Sequence, residues 1–129
     1  MKIEDLIKIA IEAQNNAYVP YSHFKVGVAV LSKNGKIYSG CNIENHGIMS
    51  ICAERVAFSK ALSEGEKDFK AMVVVGAEEL TTPCGYCRQF ISEFVEKDFK
   101  IYIVYGEKFN KIKEYTIEEL LPCSFKLKH

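Results

Sequence analysis

MVVVGAEELTTPCGYCRQFISEFVEKDFKIYIV, residues 72–104, is the stretch on which the fold turns. It opens on Met72-Val73-Val74-Val75, an uninterrupted apolar run of the kind that occupies the centre of a sheet covered on both faces. After a loop ending at Pro83, residues 84–96 carry Phe90, Ile91, Phe94 and Val95 at helical spacing, and residues 101–104 form a second apolar run. Strand and helix therefore alternate through this half of the chain.

Upstream, residues 24–31 are rich in Val, Lys33-Asn34-Gly35-Lys36 reads as a turn, and residues 37–43 run back. This is an antiparallel β-hairpin with Asn-Gly at its tip. Residues 53–62 repeat small and apolar side chains at helical spacing and stop at Ser63-Glu64-Gly65-Glu66. At the N-terminus Ile3, Leu6, Ile7, Ala10 and Ile11 are interleaved with Lys2, Glu4, Asp5, Lys8 and Glu12, the pattern of an amphipathic helix packed on a core. The ring of Pro20 then forces Val19 out of helical space. Downstream, residues 115–121 predict a short helix ended by Pro122. A hairpin followed by alternating strand and helix predicts an α/β fold, a three-layer α/β/α arrangement around a mixed sheet.

Composition limits what such a fold can do. The 129 residues leave room for one domain spanning 1–129, and at 48% hydrophobic content they can bury an ordinary core. Seventeen Lys+Arg balance seventeen Asp+Glu, so the chain lacks the excess positive charge that holds nucleic acid or an anionic membrane. No stretch approaches the ~18 apolar residues of a membrane span. The five cysteines are an odd number that cannot all pair, and a chain with this core does not need disulfides, so reduced thiols and a cytoplasmic location are expected.

Two of those thiols lie in Pro83-Cys84-Gly85-Tyr86-Cys87, where a loop after a buried strand enters a helix. A third, Cys52, begins the helix at 53–62. Residues three apart in a first helical turn share a face, and helix N-termini favour thiolates. Cys52, Cys84 and Cys87 thus form a candidate three-thiolate set, for which zinc is the natural metal. Glu54, two residues beyond Cys52, is placed to shuttle protons for an activated water. Three thiolates make the site anionic, so Arg55 is assigned the role of donating to them. Spacing alone leaves three readings open: catalytic zinc, structural zinc in a non-catalytic binding module, and a redox dithiol.

Cys52-Ala53-Glu54 followed by Pro83-Cys84-Gly85-Tyr86-Cys87-Arg88-Gln89 resembles the signature of the cytidine deaminases. The likeness extends through Pro20-Tyr21-Ser22-His23-Phe24-Lys25-Val26-Gly27, Gly40-Cys41-Asn42-Ile43-Glu44-Asn45 and Leu120-Leu121-Pro122-Cys123-Ser124-Phe125, nearly the whole chain. The resemblance implies hydrolytic deamination of cytidine or deoxycytidine with one zinc per chain. Water activated at zinc would attack C4 while Glu54 moves protons to N3 and the leaving amine, and the Ala53 N–H would hold the base carbonyl. Asn42 and Glu44 match positions that bind the sugar hydroxyls, and Phe24 one that packs against the substrate. Phe125 matches a residue that reaches the base from a neighbouring subunit, so the resemblance also implies a homotetramer with shared sites. Read without the resemblance, Phe24 is a core aromatic, Asn42 and Glu44 an exposed strand edge, and Phe125 a tail anchor. Asn42 and Glu44 should point to one face of a strand. The stretch His46-Gly47-Ile48-Met49-Ser50-Ile51 departs from the pattern by one residue and a missing Tyr, which keeps a modified cytosine nucleoside such as blasticidin S as an alternative substrate. Cys41 and Cys123 are expected to be buried as small apolar residues.

Overall fold

The computed structural model describes residues 2–47 and 50–128. Helix α1 (Ile3–Gln14) is followed by the hairpin of β1 (Gly27–Ser32) and β2 (Ile37–Cys41), then α2 (Ala53–Ser63), β3 (Phe69–Val75), α3 (Gly85–Ser92), β4 (Lys100–Tyr105), β5 (Lys111–Thr116) and α4 (Ile117–Leu120). The strands lie in the order β2-β1-β3-β4-β5. β1 is antiparallel to both β2 and β3, β3 is parallel to β4, and β4 is antiparallel to β5, so the sheet is mixed and β3 is its central strand, as its apolar run predicts.

The unbroken run exists because both faces are covered. On one face Leu6 and Ala10 of α1 pack with Ala29, Leu31, Val73, Val75 and Val104. On the other, Ala53, Ala57, Phe58 and Ala61 of α2 and Ile91 of α3 pack with Val28, Val30, Met72, Val74, Ile101 and Ile103. Successive residues of β3 thus alternate between two cores, the period-two arrangement of a strand. Each fully buried aliphatic side chain there contributes roughly 1.5–3 kcal/mol relative to exposure.

Glycine sets how closely α2 approaches the sheet. A Cβ on Gly40 would lie 2.7 Å from the Ala57 nitrogen and 2.8 Å from the Ala53 carbonyl oxygen, both backbone atoms that cannot swing aside. The first turn of α2 is therefore seated on β2 only because position 40 has no side chain. Gly40→Ala should lift that turn and destabilise the protein by about 1–3 kcal/mol, seen as a lower urea midpoint; an unchanged midpoint would show that the contact is not a constraint.

Some element boundaries differ from expectation. Helix α3 stops at Ser92, short of residue 96, where the Ser92 hydroxyl donates to the Gln89 carbonyl at 2.7 Å. β5 has no counterpart in the sequence reading, and Tyr115 and Thr116 belong to it rather than to the tail helix. Its exposed Lys111, Lys113 and Glu114 give it the side-chain pattern of a loop, because an edge strand is held by backbone pairing to β4 and protected by charge. Thr116 instead caps α4, its hydroxyl accepting from the Glu119 N–H at 3.2 Å while the Glu119 carboxylate accepts from the Thr116 N–H at 2.8 Å. In the hairpin, Phe24 precedes β1, and β2 ends at Cys41 with Ile43 making only isolated bridges to Tyr18 and Ile51.

Candidate metal centre and active site

Two helix starts bring the three cysteines together. The bridge between Ile43 and Ile51 delivers Cys52 to the N-cap of α2, and the loop leaving β3 delivers Cys84 to the N-cap of α3. Cys87, one turn into α3, is buried. The Cys84 sulfur accepts from the Cys87 N–H at 3.4 Å, lies 3.4 Å from the Cys87 sulfur and 3.8 Å from that of Cys52, and all three sulfurs fall within 4.8 Å of one another. Tetrahedral zinc with sulfur at about 2.3 Å requires sulfurs roughly 3.8 Å apart. The donor set therefore fits zinc in spacing and in chemistry.

The three thiols are coupled to one another. Hydrogen bonding with Cys87, helped by Arg55 and Cys84 and opposed by burial, pulls Cys52 down to about 5, while Cys87 is raised by its hydrogen bond to Cys52, by burial and by the charge of Glu54. Arg55 supplies the positive charge: its Nη2 donates to the Ser50 carbonyl at 3.1 Å and lies 3.8 Å from the Cys52 sulfur. Its Cζ stands 4.4 Å from the centre of the Tyr86 ring, and its Nε is buried without a hydrogen-bond partner among the described residues.

Glu54 is a charged residue type in a nearly closed position, 5% exposed on the first turn of α2. Burial, reinforced by the Cys52 charge, lifts its carboxyl to about 7. A carboxyl held there can both accept and release a proton near neutral pH, which a group fixed in either state cannot do. The neighbouring Ala53 is fully buried, and as the first helical residue its N–H has no acceptor within the helix.

The remaining candidates are arranged around the loop that precedes β1. Glu44 Oε1 accepts from the Tyr21 and Ser22 N–H groups at 3.0 and 3.1 Å, and its pKa is lowered chiefly by hydrogen bonding to the Ser22 side chain, with these two backbone bonds adding to it. With Tyr21, Asn45, His46, Gly47 and Ser50 it lines a cleft of about 430 Å³. Asn42 and Glu44 lie beyond the end of β2, half-buried rather than on an exposed strand edge, and both turn onto the 21–26 segment: Asn42 Oδ1 accepts from the Val26 N–H at 2.9 Å and its Nδ2 donates to the Phe24 carbonyl at 2.8 Å, so its amide orders the backbone under Phe24. The Phe24 side chain is exposed rather than part of the core. Phe125, 66% exposed, is held through its carbonyl by Gln89 Nε2 at 2.8 Å.

The other two thiols stand apart. Cys41 is only half-buried and Cys123 is exposed, contrary to the burial expected of both, because Cys123 falls where the tail turns at the surface with φ +54°. His46 approaches Tyr21 instead of the cysteines, its Nδ1 3.3 Å from the hydroxyl. Of the atypical 46–51 stretch, Ile48 and Met49 lie outside the described residues.

Two residues beside the cysteines had no role in the sequence reading. Arg88 donates to the Pro83 carbonyl at 2.7 Å, the Thr82 hydroxyl at 2.9 Å and the Leu120 carbonyl at 2.7 Å, tying the loop before Cys84 to the end of α4. Its position directly after Cys87 was the available signal. Tyr86 carried none, since its contact with Arg55 crosses from one helix to another.

Comparison with known proteins places these features in context. Residues 1–103 match the cytidine and deoxycytidylate deaminase zinc-binding region. The cytidine deaminase of Sporosarcina psychrophila is 46% identical over 127 residues, 97% of this chain and 92% of that enzyme. The blasticidin-S deaminase of Bacillus cereus is more distant, at 33% over 131 residues, 94% of this chain and 90% of that one. A crystal structure of cytidine deaminase from Burkholderia pseudomallei superposes with a TM-score of 0.90 at 36% identity, covering 97% of this chain and all of that one.

Proposed function

Because the chain belongs to the cytidine and deoxycytidylate deaminase zinc-binding family, we propose that it hydrolyses the 4-amino group of cytidine and deoxycytidine, yielding uridine or deoxyuridine and ammonia. The observation that carries this reading is a buried Glu54 on the same helical turn as one of three converging thiols. A structural zinc site has no use for a desolvated carboxyl beside its ligands.

Cys52, Cys84 and Cys87 would hold one zinc. When bound, the metal supplies the Lewis acidity that makes water a competent nucleophile at neutral pH. The protein's own groups do the rest. As the water oxygen bonds to C4, Glu54 takes its proton and delivers it to N3. Glu54 then carries the second proton to the amine, the C4–N4 bond breaks, ammonia leaves and the C4 carbonyl forms. The Ala53 N–H binds the base carbonyl and fixes C4 within reach of that carboxyl. Glu44 and Asn42 receive the sugar hydroxyls, and Phe24 packs against the nucleoside.

An exposed Phe125 with an anchored backbone supports a role across a subunit boundary, in a homotetramer with shared sites. The chain acts as one unit over 1–129, in the cytoplasm, where thiol ligands stay reduced. No helix among the described residues is long and apolar enough to cross a membrane.

Assaying cytidine, deoxycytidine and blasticidin S side by side, with zinc determined on the same sample, tests the proposal. The first two should be turned over with one zinc per chain; preference for blasticidin S would reassign the substrate, and zinc without turnover of any of them would leave a binding module. Arg55 tests the charge compensation. Arg55→Ala should weaken zinc binding by about tenfold to a hundredfold in competition with a chelator, and unchanged competition would remove Arg55 from the site's function.

A further inference from the structure

We propose that Tyr86 is a positioning residue for the thiolate site: its ring clamps the Arg55 guanidinium against Cys52, and the hold on zinc depends on that ring. The inference rests on the zinc site and the role of Arg55 given above, and adds to them the device that keeps the cation in place.

Tyr86 sits between the two ligand cysteines of α3, while Arg55 belongs to α2, so their contact joins the two helices that bring the thiols together. The Arg55 Cζ lies 4.4 Å from the ring centroid, within the range of a cation held over an aromatic face. Arg55 Nη2 reaches Ser50 and Cys52, the guanidinium also interacts with Cys87, and Nε is buried with no hydrogen-bond partner among the described residues. Hydrogen bonds lie near the guanidinium plane, so these contacts leave its face without a restraint. The ring face supplies the second restraint, and it does so without competing for the protons that serve the thiolate.

Core packing does not account for this side chain. Tyr86 is 52% exposed and belongs to neither apolar cluster. A large ring left half in water at the centre of a Cys-x-x-Cys turn buries little on its own account. What it covers is a charge. Screening one face of the guanidinium from water lowers the local dielectric and strengthens its attraction for the sulfurs, whose summed charge exceeds that of zinc.

The test is the rate at which zinc passes from the holoenzyme to a chromophoric chelator, in wild type, Tyr86→Phe and Tyr86→Leu. Leucine is apolar but has no π face, so Tyr86→Leu should release zinc about three- to thirtyfold faster, whereas Tyr86→Phe should stay close to wild type. In cobalt-substituted protein the thiolate charge-transfer band should shift in Tyr86→Leu and be restored in Tyr86→Phe, a signature that a general loss of packing would not reproduce. With Arg55→Ala already present, Tyr86→Leu should add almost nothing. Equal rates for Leu and wild type, equal rates for Leu and Phe, or the same acceleration in the absence of Arg55 would each overturn the proposal. If Arg55→Ala alone leaves zinc release unchanged, the role of Arg55 falls first and the clamp with it.

Discussion

Glu54→Gln is expected to keep one zinc per chain and lose turnover of cytidine by about a hundredfold to ten-thousandfold or more. The substitution changes almost nothing except the proton. Gln has the size of Glu and fits the same closed position, where Glu54 is 5% exposed, and it leaves the three sulfurs untouched. An amide cannot take a proton from water or give one to a leaving amine. It is also easier to bury: the carboxyl is pushed up to about 7 by desolvation and by the negative charge of Cys52, and a neutral side chain escapes both. The variant should therefore fold at least as stably as wild type, which separates loss of chemistry from loss of structure. Zinc determination, thermal unfolding and the absorbance decrease of cytidine measure the three quantities on one preparation. Turnover within tenfold of wild type would remove Glu54 from the reaction, and loss of zinc would make it part of the metal's support instead.

Cys87→Ser should do the reverse, losing metal first and activity as a consequence. Cys87 is fully buried, and its sulfur lies 3.4 Å from that of Cys84. Serine offers a hydroxyl that does not ionise near neutral pH and a harder donor than zinc accepts in such a set. Losing a direct ligand should exceed the tenfold to hundredfold effect of losing an outer partner, so zinc content after dialysis against a weak chelator should approach zero. Folding is coupled to the site through the two helix starts, and the melting temperature should fall with the metal. Cys41→Ser and Cys123→Ser provide the contrast: both thiols lie outside the cluster, one half-buried and the other exposed, and both variants should keep zinc and activity. A Cys87→Ser protein that retains one zinc per chain would contradict the ligand assignment.

Much of this was legible in the linear sequence because it depends on local spacing. Cys84 and Cys87 are separated by one helical turn, so a helix beginning there must bring their sulfurs to one side. Met72 to Val75 had to be buried on both faces, because four consecutive apolar residues cannot alternate between core and water. The Asn-Gly tip and the amphipathic first helix are likewise local. β5 was not legible: Lys-Ile-Lys-Glu at residues 111–114 has the polarity of a loop, and only backbone pairing with β4 makes it a strand. The capping box at Thr116 and Glu119 is a local pattern, but the helix it starts is a single turn, too short to show a helical repeat that would mark where it begins.

By itself the sequence determined which residue types stand next to each ligand, since Glu54 and Arg55 follow Cys52 whatever the fold. The tertiary structure alone decided what those neighbours became. The close seating of α2 on Gly40 and the packing of α3 beside it carry Cys52 to within 3.8 Å of Cys84, across 32 positions of chain, and leave Glu54 without water. The same packing sets Tyr86 over Arg55 and turns the Asn42 amide onto the backbone at Phe24 and Val26. A carboxyl's proton affinity and a cation's hold on a thiolate depend on exclusion of solvent and on distance. Both arise only when separate helices meet over one sheet.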